Sequence, residues 1–144
     1  NTYYFDNISV IDLFSGTGNI SYEFGSRGTE TIYAIDAHFG CIKYINETAK
    51  ILDLPINTFK SDVYKFLEKT SIQGDVIFAD PPYDFEEEQF LKIVDLVFKQ
   101  NILKEEGVLI IEHSKHTDLS KHKNHIYDKR YGGNVFSFFE YREI

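Results

Sequence analysis

The sequence has few of the features that mark secreted, membrane-spanning or disordered proteins. It contains one cysteine, Cys41, so no internal disulfide can form, and its start shows no secretory segment. No apolar run approaches the length that spans a bilayer. It also lacks internal repeats, low-complexity tracts and linkers. Since 42% of the residues are hydrophobic and 16% are aromatic, a disordered chain is excluded, and we expect a soluble, cytoplasmic protein.

Basic residues are scarce as well. The chain has 15 Lys and Arg against 23 Asp and Glu, which gives a formal net charge of −8. This balance argues against a nucleic-acid binder, because phosphate contacts need Lys and Arg. The charge is unevenly distributed, however, since 80–106 is rich in acids and 115–130 is rich in bases. The sequence therefore predicts a local basic edge at 115–130.

The length and the periodicity indicate one α/β domain covering residues 1–144. Apolar runs alternate with amphipathic stretches, as in a Rossmann-like, doubly wound sheet with helices on both faces. We predict seven strands in a mixed sheet, five of them parallel and the last two antiparallel, at 8–14, 32–35, 56–60, 76–79, 108–111, 125–131 and 135–141. Two helices should cover the sheet through these apolar faces: Ile42, Ile45, Ala49 and Leu52 in 39–54, and Phe90, Ile93, Val94, Val97 and Phe98 in 86–100.

Polar residues recur where the predicted parallel strands end. Gly16, Asp36, Asp62 and Asp80 each follow one of four successive apolar runs. In such sheets, ligands bind beyond the carboxyl ends of the strands, near the point where the strand order reverses. Because an acidic residue placed at random would as readily lie at the opposite edge, this set predicts a binding site.

Glycines occupy the turn after the first predicted strand, at Gly16 and Gly18. They allow the backbone to pass close to a bound ligand. The third glycine of the dinucleotide fingerprint is missing, since Ser21 stands in its place, and this disfavours NAD. Asp36 lies about 20 residues beyond the first glycine, where an acidic side chain accepts hydrogen bonds from ribose hydroxyls. We therefore expect an adenosine-containing cofactor other than NAD, with Asp62 over the adenine edge.

The motif Asp80-Pro81-Pro82-Tyr83 directly follows the apolar run 76–79. Two consecutive prolines end the strand and remove two backbone donors, which leaves carbonyls free to accept from a ligand. Tyr83 can stack on a planar group. A rigid acceptor cluster beside an aromatic ring suits a planar amine such as that of a nucleobase or an amide, although a proline turn opening a helix is the simpler alternative.

Together these elements resemble the class I S-adenosylmethionine-dependent methyltransferases, in which a similar motif marks methylation of amino groups. Over nearly its whole length the chain resembles one family, the bacterial 16S ribosomal RNA guanine-N2 methyltransferases (RsmD-type). The motifs that carry the likeness are 12–18, 26–28, 80–83, Glu112 and 130–132. The glycine loop alone is unspecific, so only the combination indicates this family.

The resemblance implies S-adenosyl-L-methionine as the cofactor. It also implies a monomeric enzyme that methylates guanine N2 in 16S ribosomal RNA, free or in an assembling small ribosomal subunit. The predicted catalytic residues are Asp80, Pro81, Pro82 and Tyr83. The predicted cofactor-binding residues are Asp12, Phe14, Ser15, Gly16, Gly18, Asp36, Ala37, Asp62 and Val63. The residues predicted to hold the base are Tyr83, Arg130 and Tyr131.

The chain departs from this family at its start. Members ordinarily begin with a basic, partly hairpin-forming segment that helps to hold RNA, whereas this chain begins almost on the first strand. Because Asn1 is not a start methionine, we interpret the sequence as a piece of a longer protein. We therefore expect it to fold and to bind the cofactor, with weak RNA binding and weak methyl transfer.

Other functions fit parts of the pattern. Methylation of adenine N6 or cytosine N4 in DNA, or of a protein glutamine, would use a similar motif, although no target-recognition domain for DNA is present. A non-catalytic cofactor-binding module would keep Gly16 and Asp36 without needing the proline motif. An NAD-dependent oxidoreductase is a further alternative, which the missing third glycine disfavours.

Two other groups of residues are predicted to have no chemical role. Cys41 falls on a helix at core spacing, so a packed thiol is expected. Four histidines cluster late in the chain without the spacing of a zinc site, and surface-loop positions with no metal are expected for them. These histidines are His113, His116, His122 and His125.

Overall fold

Seven strands and four helices alternate in the computed structural model, which describes residue 5 and residues 7–142. The strands are β1 (Ser9–Leu13), β2 (Thr31–Asp36), β3 (Ile56–Lys60), β4 (Gly74–Ala79), β5 (Leu103–Ser114), β6 (His125–Tyr131) and β7 (Asn134–Phe139). The helices are α1 (Asn19–Ser26), α2 (Phe39–Leu52), α3 (Val63–Lys69) and α4 (Glu87–Lys99). The sequence analysis gave bounds for α2 and α4 only, and it did not predict the short helix α3.

The strands form one sheet in the order β3-β2-β1-β4-β5-β7-β6. Strands β1 to β5 are mutually parallel, and β7 runs antiparallel to both β5 and β6. The strand order reverses between β1 and β4, which is where sheets of this type bind ligands. The predicted seven-stranded mixed sheet with antiparallel last strands is therefore confirmed.

Both faces of the central strands are buried, and this explains why their sequences read as continuous apolar runs. In β1, Ile11 and Leu13 pack with α3, α4 and Phe139 on one face of the sheet. Val10 packs on the other face with Ile32 of β2 and with the partly buried Phe24 of α1. The core thus holds the carboxyl ends of β1 and β4 rigidly side by side.

The helix faces follow the prediction except at Leu52 and, in part, at Phe98. Ile42, Ile45 and Ala49 of α2 are buried, but Leu52 is 53% exposed. The reason is that α2 ends at Leu52, where Asp53 takes a left-handed conformation (φ 55°) and turns the chain, so that Leu54 packs against Gly25 of α1 instead. In α4 the four predicted residues from Phe90 to Val97 are buried, whereas Phe98 is only partly buried.

No helix within the described residues combines the length and the apolar character needed to cross a membrane.

Candidate active site

The residues predicted at the strand ends converge at the carboxyl edge of the sheet, around the point where the strand order reverses. Asp36 ends β2, Asp62 is the N-cap of α3, and Asp80 follows β4. All three line one cavity of about 370 Å³, a size in the range of small-molecule sites. The complete lining is Phe14, Asp36, Ala37, His38, Asp62, Val63, Tyr64, Asp80, Pro82 and Phe85.

The glycine loop between β1 and α1 reaches this cavity through Phe14, whereas Ser15, Gly16 and Gly18 are not in its lining. Gly16 and Gly18 have left-handed backbones, with φ of 56° and 94°. At Gly18 a side chain is also excluded sterically, since a Cβ would lie 2.8 Å from Cζ of Tyr22. The backbone N–H of Ser15 donates to the Ile35 carbonyl at 3.0 Å, but the Ser15 hydroxyl is buried without a hydrogen-bond partner among the described residues. Such an orphaned polar atom needs a partner, and a ligand in the loop would supply one.

Asp36 is buried and its carboxylate organises the loops on both sides of it. Its Oδ2 accepts from the backbone N–H of Gly16 at 2.8 Å. Its Oδ1 lies 2.9 Å from the backbone N of His38, which donates to it, and 3.0 Å from Nδ1 of the same residue. A carboxylate has about four acceptor positions, and these contacts occupy three of them, so roughly one is left for a ligand. A second position becomes available if the exposed His38 ring moves away.

The far wall of the cavity is aromatic and was only partly predicted. Phe85 packs edge-on against Phe14, with ring centroids 5.6 Å apart, and lies parallel to Tyr64 at 6.4 Å. Tyr64 and Phe85 were missed, although their positions beside Asp62 and the proline motif could have indicated them. Burial and the neighbouring Asp62 raise the pKa of Tyr64 to about 12, so its hydroxyl stays protonated and donates to the Gln89 carbonyl.

Asp12 belongs to the same edge but lies beneath the cavity and not in its wall. The side chain is buried, and its Oδ2 accepts a hydrogen bond from the Ser21 hydroxyl at 2.8 Å. This contact gives a structural reason for serine where a dinucleotide fingerprint has glycine. Burial raises the pKa of Asp12 to about 7, with Ser21 opposing the shift and Asp80 and Asp36 adding to it.

A second cavity of about 290 Å³ opens on the other side of Asp80. Pro81 and Tyr83 line it, whereas Pro82 lines the first cavity, so the motif separates the two spaces. The remaining wall comes from α4, from the end of β5 and the turn after it, and from β7, through Phe90, Glu112, His113, Ser114, Thr117 and Asn134. Tyr83 is 99% exposed, and its ring is therefore available to an incoming molecule.

Carboxylates dominate the electrostatics between the two cavities. The surrounding walls partly desolvate Asp80 and raise its pKa. Burial likewise raises the pKa of Glu112, and the charge of Asp80 adds to this, while a hydrogen bond from Asn134 opposes it. No Lys or Arg side chain lines either cavity in the described part of the chain. The site therefore favours ligands that donate hydrogen bonds or carry positive charge.

Arg130 and Tyr131 lie at the end of β6, beside the second cavity and outside its lining. Tyr131 pairs with Asn134, which in turn pairs with Ser114, so two strand spacings, about 10 Å, separate Tyr131 from Ser114. Both side chains are exposed. The predicted basic edge is divided, because Lys123 lies with Lys99 and Tyr141 in a different cavity.

The prediction of surface-loop positions is wrong for His113 and His125. His125 begins β6 and its side chain is only 11% exposed, and the side chain of the loop residue His122 is only 10% exposed. His113 lies in β5 and is only 6% exposed, with its Nε2 2.6 Å from the Ser137 hydroxyl and its Nδ1 2.8 Å from the Ser114 carbonyl. The alternation of buried residues in β5, through Leu109 and Ile111, continues to this position. Cys41 is partly buried, and burial, with a contribution from Asp36, raises the pKa of its thiol.

The family model described as "Conserved hypothetical protein 95" matches residues 2–140. The chain belongs to this family. The resemblance identified from the sequence is thereby confirmed at the level of the family. The match covers the whole sheet and the loops around it. In this chain the two cavities and the proline motif form the candidate active site.

Two relatives match parts of the chain in sequence. The chain is 30% identical over 123 residues to the "Putative rRNA methyltransferase YlbH" of Bacillus subtilis, and the match covers 81% of the chain and 65% of YlbH. It is 32% identical over 77 residues to the "Putative protein N5-glutamine methyltransferase MJ0928" of Methanocaldococcus jannaschii, covering 54% of the chain and 38% of that protein. The chain thus spans less than two thirds of the length of either relative.

Among solved structures, the "putative methylase HI0767 from Haemophilus influenzae" superposes with a TM-score of 0.83 at 20% identity. The match covers 94% of this chain and 88% of that one. This likeness establishes the fold, a Rossmann-like seven-stranded mixed sheet.

Proposed function

We propose that this chain transfers a methyl group from S-adenosyl-L-methionine to an exocyclic amine of a nucleobase, with guanine N2 in 16S ribosomal RNA as the acceptor. One observation carries the proposal: Asp80 lies in the walls of both cavities. A cofactor in the first and a base in the second would meet at this carboxylate. Such a meeting point is what a direct transfer between two bound molecules requires.

The first cavity fits the cofactor through the loops around it. Asp36 would accept from the ribose hydroxyls, and Asp62 with Val63 and Ala37 would border the adenine. The orphaned Ser15 hydroxyl fits a ligand held against the glycine loop. When bound, S-adenosylmethionine supplies an electrophilic methyl group on a positively charged sulfur.

The residues of the proline motif act on the acceptor. An exocyclic amine is a weak nucleophile, because its lone pair is delocalised into the ring. The Asp80 carboxylate and the Pro81 carbonyl would accept its two hydrogens and so favour a pyramidal nitrogen with a directed lone pair. Asp80 would also stabilise the positive charge that develops on that nitrogen, and the surplus proton would leave to solvent or to a carboxylate.

RNA would be held by the exposed rim of the second cavity. Tyr83 is placed to stack on a base turned out of its helix, and Arg130 and Tyr131 would meet the adjoining nucleotides. The unpairing of the base that this demands is easiest in a loop or an incompletely assembled particle. We therefore propose free ribosomal RNA or an assembling small ribosomal subunit as the partner of a monomeric enzyme in the cytoplasm.

Methylation of a protein glutamine is the second candidate, because the chain is 32% identical to MJ0928 over 77 residues. A glutamine side chain also presents a planar NH₂ group to acceptors such as Asp80. DNA amines remain a further alternative.

One experiment separates these candidates. Purified protein is incubated with tritiated S-adenosylmethionine and, in parallel, with unmodified small-subunit ribosomal RNA, assembled particles, DNA and ribosomal protein. Digestion and mass spectrometry then identify the methylated unit. We expect N2-methylguanosine in the RNA, with Asp80→Ala as the inactive control. N6-methyladenosine, N4-methylcytosine or methylglutamine as the main product would refute the proposed acceptor.

A further inference from the structure

Glu112 lies next to Asp80 because of the register between β4 and β5. The last aligned pair of these two strands is Ala79 with Ile111, so Asp80 and Glu112 are the next residues on neighbouring strands. Neighbouring strands are about 5 Å apart, and both side chains line the second cavity. The electrostatic influence of Asp80 on Glu112 is further evidence of their proximity. The second cavity therefore presents two carboxylates side by side.

The carboxylate of Glu112 is oriented from outside the cavity. Its Oε2 accepts a hydrogen bond from the side-chain amide of Asn134 at 2.9 Å. In the described residues no hydrogen bond to Oε1 is found, so this oxygen is available to a ligand. The Asn134 donor opposes the rise in the pKa of Glu112 that burial and Asp80 cause, and in this way it supports the accepting, ionised form.

Two adjacent acceptors distinguish the three amine-bearing bases. In guanine two ring nitrogens flank the exocyclic amine: N3 accepts, whereas N1 carries a hydrogen and donates. In adenine the atom next to the amine is also N1, and in cytosine it is N3, but both of these are acceptors. A carboxylate facing them would place two acceptors against each other, with no hydrogen bond and with electrostatic repulsion.

We propose that Glu112 is a specificity-determining residue. Its carboxylate accepts a hydrogen bond from N1–H of guanine, while Asp80 accepts a hydrogen bond from the 2-amino group. The inference rests on the proposed methylation of a nucleobase and adds the residue that selects the base. Ser114 and Thr117 line the same cavity, but a hydroxyl both donates and accepts, so neither can reject an acceptor as a carboxylate does.

The decisive variant is Glu112→Gln, which keeps the shape of the side chain and an oxygen that can accept from Asn134. It replaces one accepting oxygen by an NH₂ donor. The exposed Glu68 of α3 lies outside both cavities, and Glu68→Gln is the matched control. Single-turnover methyl transfer is measured on an RNA fragment carrying the unmodified target guanosine and on the same fragment with 2-aminopurine in its place. This analogue keeps the 2-amino group but has an acceptor at N1.

The wild type and Glu68→Gln should methylate guanine at least tenfold faster than 2-aminopurine. Glu112→Gln should lose at least tenfold on guanine and gain on 2-aminopurine, so that the preference narrows or reverses, while S-adenosylmethionine affinity stays unchanged in calorimetry. If both substrates slow by the same factor, Glu112 is only structural and this inference is wrong. If wild-type product analysis gives no N2-methylguanosine, the proposed function itself has failed.

Discussion

The raised pKa of buried Asp12 predicts how the free energy of unfolding depends on pH. Its side chain is 2% exposed, and burial raises its pKa from 3.8 to about 7. Between these two values the folded protein keeps a proton that the unfolded chain gives up. Stability contributed by this group is therefore complete below about pH 4, decreases as the pH rises, and is lost once the pH passes about 7.

The size of the effect depends on the separation of the two pKa values. About three pH units correspond to roughly 4 kcal/mol in the free energy of unfolding, as an order of magnitude. Asp12→Asn should remove this loss, because an amide cannot ionise and its oxygen can still accept from the Ser21 hydroxyl. The variant should therefore gain stability over the wild type by about 1.4 kcal/mol per pH unit between pH 5 and 7.

Urea unfolding followed by far-ultraviolet circular dichroism at pH 5, 6, 7 and 8 measures this difference. The control is Asp53→Asn, an exposed position whose left-handed backbone asparagine tolerates. Its difference from the wild type should not vary with pH. A constant offset between Asp12→Asn and the wild type would show that the carboxyl is not held protonated, and the reasoning from burial would be refuted.

Three further substitutions test the two cavities. Asp80→Ala should lower single-turnover methyl transfer at least about a hundredfold while most of the cofactor affinity remains, since the group acts on the acceptor; a near-normal rate would exclude that role. Asp36→Ala should weaken S-adenosylmethionine binding by roughly 2 kcal/mol in calorimetry, because charge-assisted hydrogen bonds are lost, and unchanged affinity would contradict the ribose assignment. Gly18→Ala should reduce cofactor affinity and thermal stability more than Gly16→Ala, because both have positive φ but only Gly18 has Tyr22 within contact of a Cβ. Equal effects in calorimetry and thermal melts would show that the steric argument is wrong.

The local pattern of the sequence was sufficient to predict the scaffold. Strands buried on both faces appear as apolar runs, and the residue after each parallel strand must lie at one edge of the sheet. That is why Asp36, Asp62 and Asp80 could be assigned to a common edge before any contact was known. The exception at Leu52 arose because helical periodicity does not show where a helix stops.

The tertiary structure decided which other side chains surround those residues. The buried state of Asp12 and its raised pKa depend on the packing around β1, and the Tyr64 and Phe85 wall depends on α3 and the chain after the proline motif. Asp80 and Glu112 are neighbours because of the register between β4 and β5, although they are 32 positions apart in the chain. Sequence alone determined which chemical groups stand at the ends of strands, because periodicity is local, whereas the pairing of those groups was fixed only by long-range contacts between strands.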